Sequence, residues 1–281
     1  MASLDVTSLY TNVLIQETID IVVNSLFDNQ NTLENLNKSQ FKKLLEVCVK
    51  DNNFIFNGEH YVQHEGFAMG SPLSAPMANI FLSHHEINWL NDCPWAFKPL
   101  LYRRYVDDTF LVFRKREHVD LFCDYLNGKH PNIQFTKEYE SEHKLSFLDM
   151  NIFKKENGNL TRFGLNIFRK KTFTGLGLNF HSHTFYNFKI NNIKTLVVRA
   201  YRLCSTWYDF HKEIEFLRKY FKNNGFPETI VYTIINSFLR NVFSPKPIVF
   251  SAEKLLMYVK MPFLSIPCCN FIKKEIGYFF K

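Results

Sequence analysis

The stretch LYRRYVDDTFLVF, from Leu101 to Phe113, decides the predicted fold. Aromatic and β-branched residues on both sides of Asp107-Asp108 predict two strands joined by a turn at the aspartate pair. Aspartate suits a turn because it hydrogen-bonds locally and accepts unusual backbone angles. Two adjacent carboxylates also repel each other, and a divalent cation held by oxygen ligands relieves that repulsion. The pair therefore predicts a cation site or, as is common for an isolated Asp-Asp, a solvated hairpin tip.

A third acidic residue, Asp5, lies in the segment SLDVTSLYTN, residues 3–12. This segment predicts a strand end, a polar turn and the start of a helix. The apolar face of that helix is predicted to contain Ile15, Ile19, Val22, Val23 and Leu26. Asp5 falls where the strand gives way to the turn, which is a position in which a rigid scaffold can hold a metal ligand.

A glycine-containing segment, GFAMGSPLSAP, spans residues 66–76. Its two glycines permit close backbone approach to a ligand. Ser71 is predicted to cap a helix that has Pro72 at its first position. The buried stripe of this helix is predicted to comprise Leu73, Met77, Ile80, Phe81, Ile87 and Leu90.

These three segments, in this order, resemble motifs A, B and C of reverse transcriptases. The sequences DVTSLYTNV, GFAMGSPLSAPMANIF and RRYVDDTFLVF most resemble those of the reverse transcriptases of Penelope-like retroelements. The resemblance continues through residues 130–136, 145–149 and 196–205 and covers most of the chain. It implies an RNA-directed DNA polymerase of a retrotransposon, with a right-hand polymerase palm followed by a helical thumb.

The resemblance also implies a two-metal nucleotidyl-transfer site. Two Mg²⁺ ions, or Mn²⁺ in their place, are expected to bind Asp5, Asp107, Asp108 and the carbonyl of Val6. Tyr10 stands where the family has the bulky side chain that excludes a ribose 2′-hydroxyl. The residues expected at the nucleotide pocket are Tyr10, Gly70, Ser71, Pro72 and Tyr105.

Charge is divided unevenly along the chain, whose formal net charge is +7. Residues 1–150 have 13 Lys and Arg against 20 Asp and Glu, whereas residues 151–281 have 21 against 7. A basic half favours contact with a nucleic-acid backbone, although basic residues can also serve solubility alone. The expected partners are an RNA template, a DNA primer and deoxynucleoside triphosphates. The predicted nucleic-acid contacts are Arg169, Lys170, Lys171, Lys194, Arg199 and Arg202.

The pattern of hydrophobic residues predicts an α+β chain. We expect a palm over residues 1–168, with a split βαβ antiparallel sheet and helices on one face. A connection and helical thumb are expected over 169–245, and a C-terminal extension over 246–281. Helices are predicted at 39–50, 117–126, from 191, 210–221 and 227–240, with strands at 53–56, 60–63, 133–139, 144–153, 160–168 and 255–264.

The resemblance also concerns two regions that flank the motifs in similar enzymes. Similar enzymes have a fingers region before motif A and often a GIY-YIG endonuclease after the thumb, and we expect neither within these 281 residues. We therefore expect a fragment that binds nucleic acid and extends primers poorly. The alternatives are a catalytically inactive, nucleic-acid-binding remnant and a template-independent or DNA-templated polymerase.

Six cysteines without CxxC spacing predict reduced thiols in an intracellular protein, with the nucleus as the expected compartment and the cytoplasm as the alternative. His181 and His183 alone are a weak zinc signal. No apolar run in the sequence is long enough to span a membrane.

Overall fold

The computed structural model describes residues 1–27, 36–157 and 160–244. The chain forms two compact units, Met1–Ile235 and Asn236–Lys281, and the second is described through residue 244. The strands are β1 Ala2–Val6, β2 Asn52–Phe56, β3 Glu59–Gln63, β4 Leu101–Tyr105, β5 Asp108–Val112, β6 Phe135–Tyr139, β7 Lys144–Phe147, β8 Met150–Asn157 and β9 Leu160–Ile167. The helices are α1 Leu9–Asn12, α2 Ile15–Phe27, α3 Lys38–Val49, α4 Ser74–Asn91, α5 Glu117–Asn127, α6 Tyr186–Leu203, α7 Trp207–Asn223 and α8 Glu228–Phe243.

The central sheet has the strand order β4-β5-β1-β6, and all neighbouring strands are antiparallel. Helices lie between β1 and β4 and between β5 and β6 along the chain, so each helix connects strands that are separated by one other strand. This is the split βαβ arrangement. The antiparallel sheet predicted from the sequence is therefore present.

The hydrophobic core lies on one face of this sheet. Leu4 and Val6 of β1 are buried there, whereas Asp5 between them is exposed, because successive side chains of a strand point to opposite faces. The helices α2, α4 and α5 contribute Ile19, Phe81 and Phe122 to the same core. Covering one face leaves the other available for polar groups.

The strands predicted at 53–56 and 60–63 are confirmed as the hairpin β2–β3, which turns at Asn57-Gly58. Both turn residues have positive φ, 51° for Asn57 and 82° for Gly58, as a tight hairpin with the right strand twist requires. Helix α3 follows its prediction to within a residue, and Asn37 and Gln40 form a capping box at its start.

The single strand predicted over residues 144–153 is wrong. The chain instead forms two antiparallel strands, β7 and β8, joined by a turn at Leu148-Asp149, and β9 completes a three-stranded sheet. Leu148 has a φ of 53°, which a leucine rarely adopts. Asp149 is a residue that suits a turn, but Leu148 at the positive-φ position is not, so the sequence signal for this turn is weak.

The predicted start of the helix after Gly70 is also wrong. Helix α4 begins at Ser74, and Pro72 and Leu73 lie in a turn before it. Ser71 Oγ accepts a long hydrogen bond of 3.4 Å from Leu73 N, while Leu73 occupies the cap position with no side-chain bond. Ser74 Oγ instead donates to Ala68 O at 2.6 Å, which ties the helix start to the preceding loop.

Helices α6, α7 and α8 form the helical part of the chain. Thr206 caps α7 by accepting a hydrogen bond from Asp209 N, and Asn224 closes its other end. The predicted helix from residue 191 in fact begins at Tyr186. The strand predicted at 255–264 lies outside the described residues.

The four cysteines that the structure describes, at positions 48, 93, 123 and 204, are free thiols. His181 and His183 lie in a loop before α6, as expected. None of the described helices is both long and apolar enough to cross a membrane.

Candidate active site

One row of residues crosses the central sheet at the end of β1. Tyr105 pairs with Asp108, Asp108 with Asp5, and Asp5 with Thr136, so the four residues are neighbours on adjacent strands. Paired residues in an antiparallel sheet point to the same face, with Cβ atoms about 4.5–5.5 Å apart. Two aspartates that are more than 100 positions apart in the sequence are therefore next to each other.

The third aspartate, Asp107, lies in the turn beside this row. The prediction of a turn at Asp107-Asp108 is wrong by one residue, because the turn residues are Val106 and Asp107 and Asp108 already belongs to β5. Val106 has a φ of 56°, an unusual value for a β-branched residue. Val6 N donates a hydrogen bond of 3.2 Å to Asp107 O, which holds the turn against the end of β1.

Arg104 fixes the backbone of this turn. Its Nη1 donates to Val106 O at 2.9 Å and to Asn79 Oδ1 at 2.9 Å. Its Nε donates to Glu86 Oε1 at 2.7 Å, and its Nη2 donates to Ser83 Oγ at 3.0 Å. Since Asn79, Ser83 and Glu86 are all on α4, the guanidinium connects the helix to the turn that carries Asp107. Sequence reasoning missed this role.

The three carboxylates affect one another electrostatically. Burial and the neighbouring Asp107 carboxylate raise the pKa of Asp5 above its ordinary value. Burial, followed by Asp107 and Asp5, raises the pKa of Asp108, and Lys170 partly opposes this shift. Asp5 and Asp108 therefore resist ionisation because of burial and of the neighbouring carboxylates, which is the situation that a bound cation relieves.

The carboxylate row opens into a cleft of about 720 Å³. Two groups that the sequence reading did not select, Glu138 of β6 and Asp149 of the β7–β8 turn, also line it. Glu138 pairs with Ser3 of β1 in the sheet register, so strand alternation could have placed it on the face of Asp5. The lining also includes Ser3, Asp5, Tyr105, Asp108, Thr136, Lys137, Phe168 and Lys170.

Of the residues predicted at the nucleotide pocket, one lines this cleft. Tyr105 lines the cleft, but the lining does not include Tyr10, Gly70, Ser71 or Pro72. Tyr10 belongs to α1 and packs partly against the hydrophobic core. The structure thus brings Asp5, Asp108 and Tyr105 together, and the role of the other residues stays a prediction.

Gly66 shows what one of the motif glycines does. A Cβ added at this position would lie 2.6 Å from Thr11 Cα and 2.7 Å from Tyr10 O, and its φ is +70°. Phe67 N also donates to Tyr10 O at 2.6 Å. The expected close approach is therefore to the chain's own backbone at α1, where no larger residue fits.

The predicted nucleic-acid contacts divide into paired and exposed cations. Arg169 forms a bidentate ion pair with Glu213 of α7, with Nη1 2.8 Å from Oε2, and stacks over Phe216. Arg199 pairs with Asp149 at 2.8 Å. These two guanidiniums serve internal contacts. Among the described residues no ion pair involves the exposed cations Lys170, Lys171, Lys194 and Arg202.

The aspartates have the ligand atoms and the access to solvent that binding of a divalent cation requires. Carboxylate and carbonyl oxygens are the ligands that Mg²⁺ prefers, and Asp5, Asp107 and the Val6 carbonyl lie where two strands meet. Within the described residues, the three aspartates do not form a set whose ligand oxygens all lie within 4.8 Å of one another. A cation held by all three would therefore need their side chains to move closer together.

Comparison with known sequences gives one family match. Residues 176–236 match the family described as "Animal helix-turn-helix domain". The matched residues include α6, α7 and the first part of α8. No curated protein sequence matches the chain significantly.

Comparison with solved structures identifies polymerases. The chain is similar to telomerase from Candida albicans, solved with a TWJ fragment of telomeric RNA, with a TM-score of 0.52 and 15% identity over 84% of this chain and 40% of that one. Telomerase from Candida tropicalis matches with a TM-score of 0.47 and 12% identity, over 86% of this chain and 39% of the telomerase chain. The Sicinivirus 3Dpol RNA-dependent RNA polymerase matches with a TM-score of 0.45 and 12% identity, over 84% of this chain and 51% of the polymerase chain.

The similarity to the Candida albicans structure establishes the class of fold. Telomerase is a reverse transcriptase, and this chain spans about two fifths of that telomerase chain. The chain therefore has a polymerase-like fold of mixed helices and antiparallel sheets. A fold does not determine an activity, so the activity must be argued from the carboxylate row.

Proposed function

We propose that the chain is the catalytic part of an RNA-directed DNA polymerase of a Penelope-like retroelement. The observation that carries this proposal is the placement of Asp5 opposite Asp108, with Asp107 in the adjoining turn, on the open face of a polymerase-like sheet. The resemblance of the three motifs to Penelope-like reverse transcriptases supports the choice of template and of element.

In the proposed mechanism Asp5, Asp107 and the Val6 carbonyl would hold two Mg²⁺ ions, and Asp108 would assist or orient. Mg²⁺ bound there supplies activation of the primer 3′-hydroxyl and stabilisation of the leaving pyrophosphate. The chain's own residues supply position: the β1–β5 register sets the separation of Asp5 and Asp108, and Arg104 holds the turn of Asp107. The exposed ammonium of Lys170, close enough to Asp108 to oppose part of the rise in its pKa, would contact a phosphate in the cleft.

A second candidate function is nucleic-acid binding without nucleotide transfer. The match of residues 176–236 to a helix-turn-helix family favours it. Binding needs only exposed cations near phosphates, and Lys171, Lys194 and Arg202 are exposed. In this case the aspartates would have no ligand and the basic part alone would be functional.

The test uses the purified chain, an RNA template with a DNA primer, and deoxynucleoside triphosphates. Binding is measured over a salt series, and extension is measured with Mg²⁺ and with Mn²⁺ against an Asp107→Asn control. Extension that needs the divalent ion and Asp107, even if slow, supports the polymerase. Salt-dependent binding with no extension supports the second candidate, and the absence of both contradicts the two proposals together.

A further inference from the structure

We propose that Glu17, His85 and His130 form a zinc(II) site that is separate from the carboxylate row. Glu17 belongs to α2, His85 to α4, and His130 to the segment between α5 and β6. One ligand atom from each lies within 4.8 Å of the other two. These residues play no part in the function proposed above, so the inference does not rest on it.

The donor atoms have the types and spacing that zinc uses. Glu17 Oε1 lies 3.0 Å from His85 Nε2, and Glu17 Oε2 lies 3.4 Å from His130 Nε2. In a tetrahedral site with bonds of ~2.0–2.1 Å, neighbouring ligand atoms are about 3.3 Å apart. Two imidazoles and one carboxylate are also the ligand set of zinc sites that keep a fourth position open.

His85 provides the observation that points to a ligand. Its Nε2 is fully enclosed and forms no hydrogen bond, although the Glu17 carboxylate is only 3.0 Å away. A buried nitrogen without a hydrogen bond is costly. A metal ion between His85 and Glu17 would satisfy this nitrogen and both neighbouring groups at once.

The surroundings hold the ligands in place and leave a route to solvent. The His85 ring stacks on Trp89 at 5.3 Å and contacts Phe81 at 4.6 Å, so its orientation is fixed by packing. The His130 ring lies 5.4 Å from the same Phe81. Glu17 is about one third exposed and lines a separate cleft of about 930 Å³, through which an ion can enter.

One contact distinguishes the metal-free cluster from the zinc form. Asn132 N donates a hydrogen bond of 3.2 Å to His130 Nδ1, which leaves the proton of the neutral ring on Nε2, facing Glu17. Coordination by Nε2 would remove that proton and place one on Nδ1. Zinc binding must therefore break the contact with Asn132 N, which makes this amide a local reporter.

Such an ion would join three segments that pack on the core face of the central sheet. Helices α2 and α4 follow motifs A and B in the sequence, and the His130 segment leads into β6, the edge strand beside Asp5. The ion would thus link these three segments, with a water molecule at its fourth position. Because zinc would bind the folded chain only, it would raise the thermal stability.

The test is titration of the chain with Zn²⁺ and with Co²⁺, carried out in a Cys48→Ser background because that thiol is exposed. We expect one equivalent to bind, with cobalt d–d bands of a tetrahedral site and no thiolate charge-transfer band. The melting temperature should rise with Zn²⁺, and the amide resonance of Asn132 should shift.

Glu17→Gln removes a charged ligand with almost no change of size and should weaken zinc binding at least tenfold, as should His130→Gln. The matched control is His84→Ala, because His84 neighbours His85 and lines the same cleft as Glu17. If His85→Ala fails to fold, the other two variants decide. Unchanged affinity in Glu17→Gln and His130→Gln, or no binding by the parent chain, would overturn the proposal and leave a proton-sharing cluster.

Discussion

The acidic row of the central sheet and the basic segments near the helices show opposite uses of charge. At the row, burial and neighbouring carboxylates raise the pKa of Asp5 and of Asp108, and Lys170 partly opposes the shift at Asp108. In the basic part, Arg169 and Arg199 are each paired with a carboxylate. Like charges held together need a ligand from outside, whereas paired charges are already satisfied.

This contrast shows what a charge count leaves out, namely which cations are already paired. The excess of basic residues after residue 150 favours a surface for nucleic acid. Two of those residues, Arg169 and Arg199, are paired with carboxylates in the structure. Asp5 and Asp108 lie side by side and line the cleft, and this placement supports the function proposed above.

The largest effect should follow a change at the turn of the acidic row. Asp107→Asn should lower the rate of Mg²⁺-dependent primer extension by about 10³-fold or to background, because it removes a charged ligand at the reacting centre. Single-turnover extension assays measure this. Asp149→Asn is the control, since Asp149 lines the same cleft but is paired with Arg199, and it should change the rate by only a few fold.

The next largest effect concerns Arg104, which holds the Val106-Asp107 turn. Arg104→Ala should destabilise the fold by roughly 3 kcal/mol, because it leaves the buried Glu86 carboxylate without its cation. The side chains of Arg104 and Glu86 are 7% and 11% exposed. Urea denaturation checks this against Arg103→Ala, which alters an exposed residue of the same strand and should cost less than about 0.5 kcal/mol. Equal destabilisation by both would show that the buried pair has no special role.

A third pair of variants separates the two kinds of cation. Arg169→Ala should lower the free energy of unfolding by about 2 kcal/mol, since Glu213 is buried and would lose its bidentate partner. Lys171→Ala should leave stability unchanged and reduce the log–log salt slope of nucleic-acid binding by about 1. Unfolding curves and binding over a salt series test both. The reverse assignment would mean that Arg169 acts on nucleic acid after all.

The smallest effect is a pH-dependent one at the acidic row. The raised pKa of Asp108 means that the folded state holds this proton more tightly than the unfolded state. The resulting loss of stability therefore appears as pH rises from about 4 through the raised pKa. Asp108→Asn removes this loss and should raise the melting temperature by ~1–2 °C at pH 7, but not near pH 4. Melting curves across this range check the prediction, and a higher melting temperature of the wild type at pH 7 would contradict it.

The sequence predicted that Asp5, Asp107 and Asp108 lie together because their segments resemble motifs of reverse transcriptases. Local patterns predicted the strands on either side of Asp107-Asp108 and the strand end at Asp5, whereas the antiparallel pairing that places Asp5 beside Asp108 is known from the structure. The Asn57-Gly58 hairpin was predictable from local pattern alone, since its two turn residues favour positive φ.

Features that depend on tertiary contacts could not be predicted in the same way. The turns at Val106 and Leu148 use residues that seldom adopt positive φ, so the surrounding structure imposes them. The ion pairs of Arg169 and Arg199 join residues more than 40 positions apart. No local pattern marks which cations will be used in this way.

The most direct test of the central claim is to locate the divalent cations. A crystal of the chain with template, primer, Mn²⁺ and a nucleotide analogue that cannot be transferred would show them by anomalous scattering. Our account predicts two peaks between the carboxylates of Asp5 and Asp107, beside the carbonyl of Val6. Bound template and nucleotide with no peak at these aspartates, or with peaks only elsewhere, would contradict it.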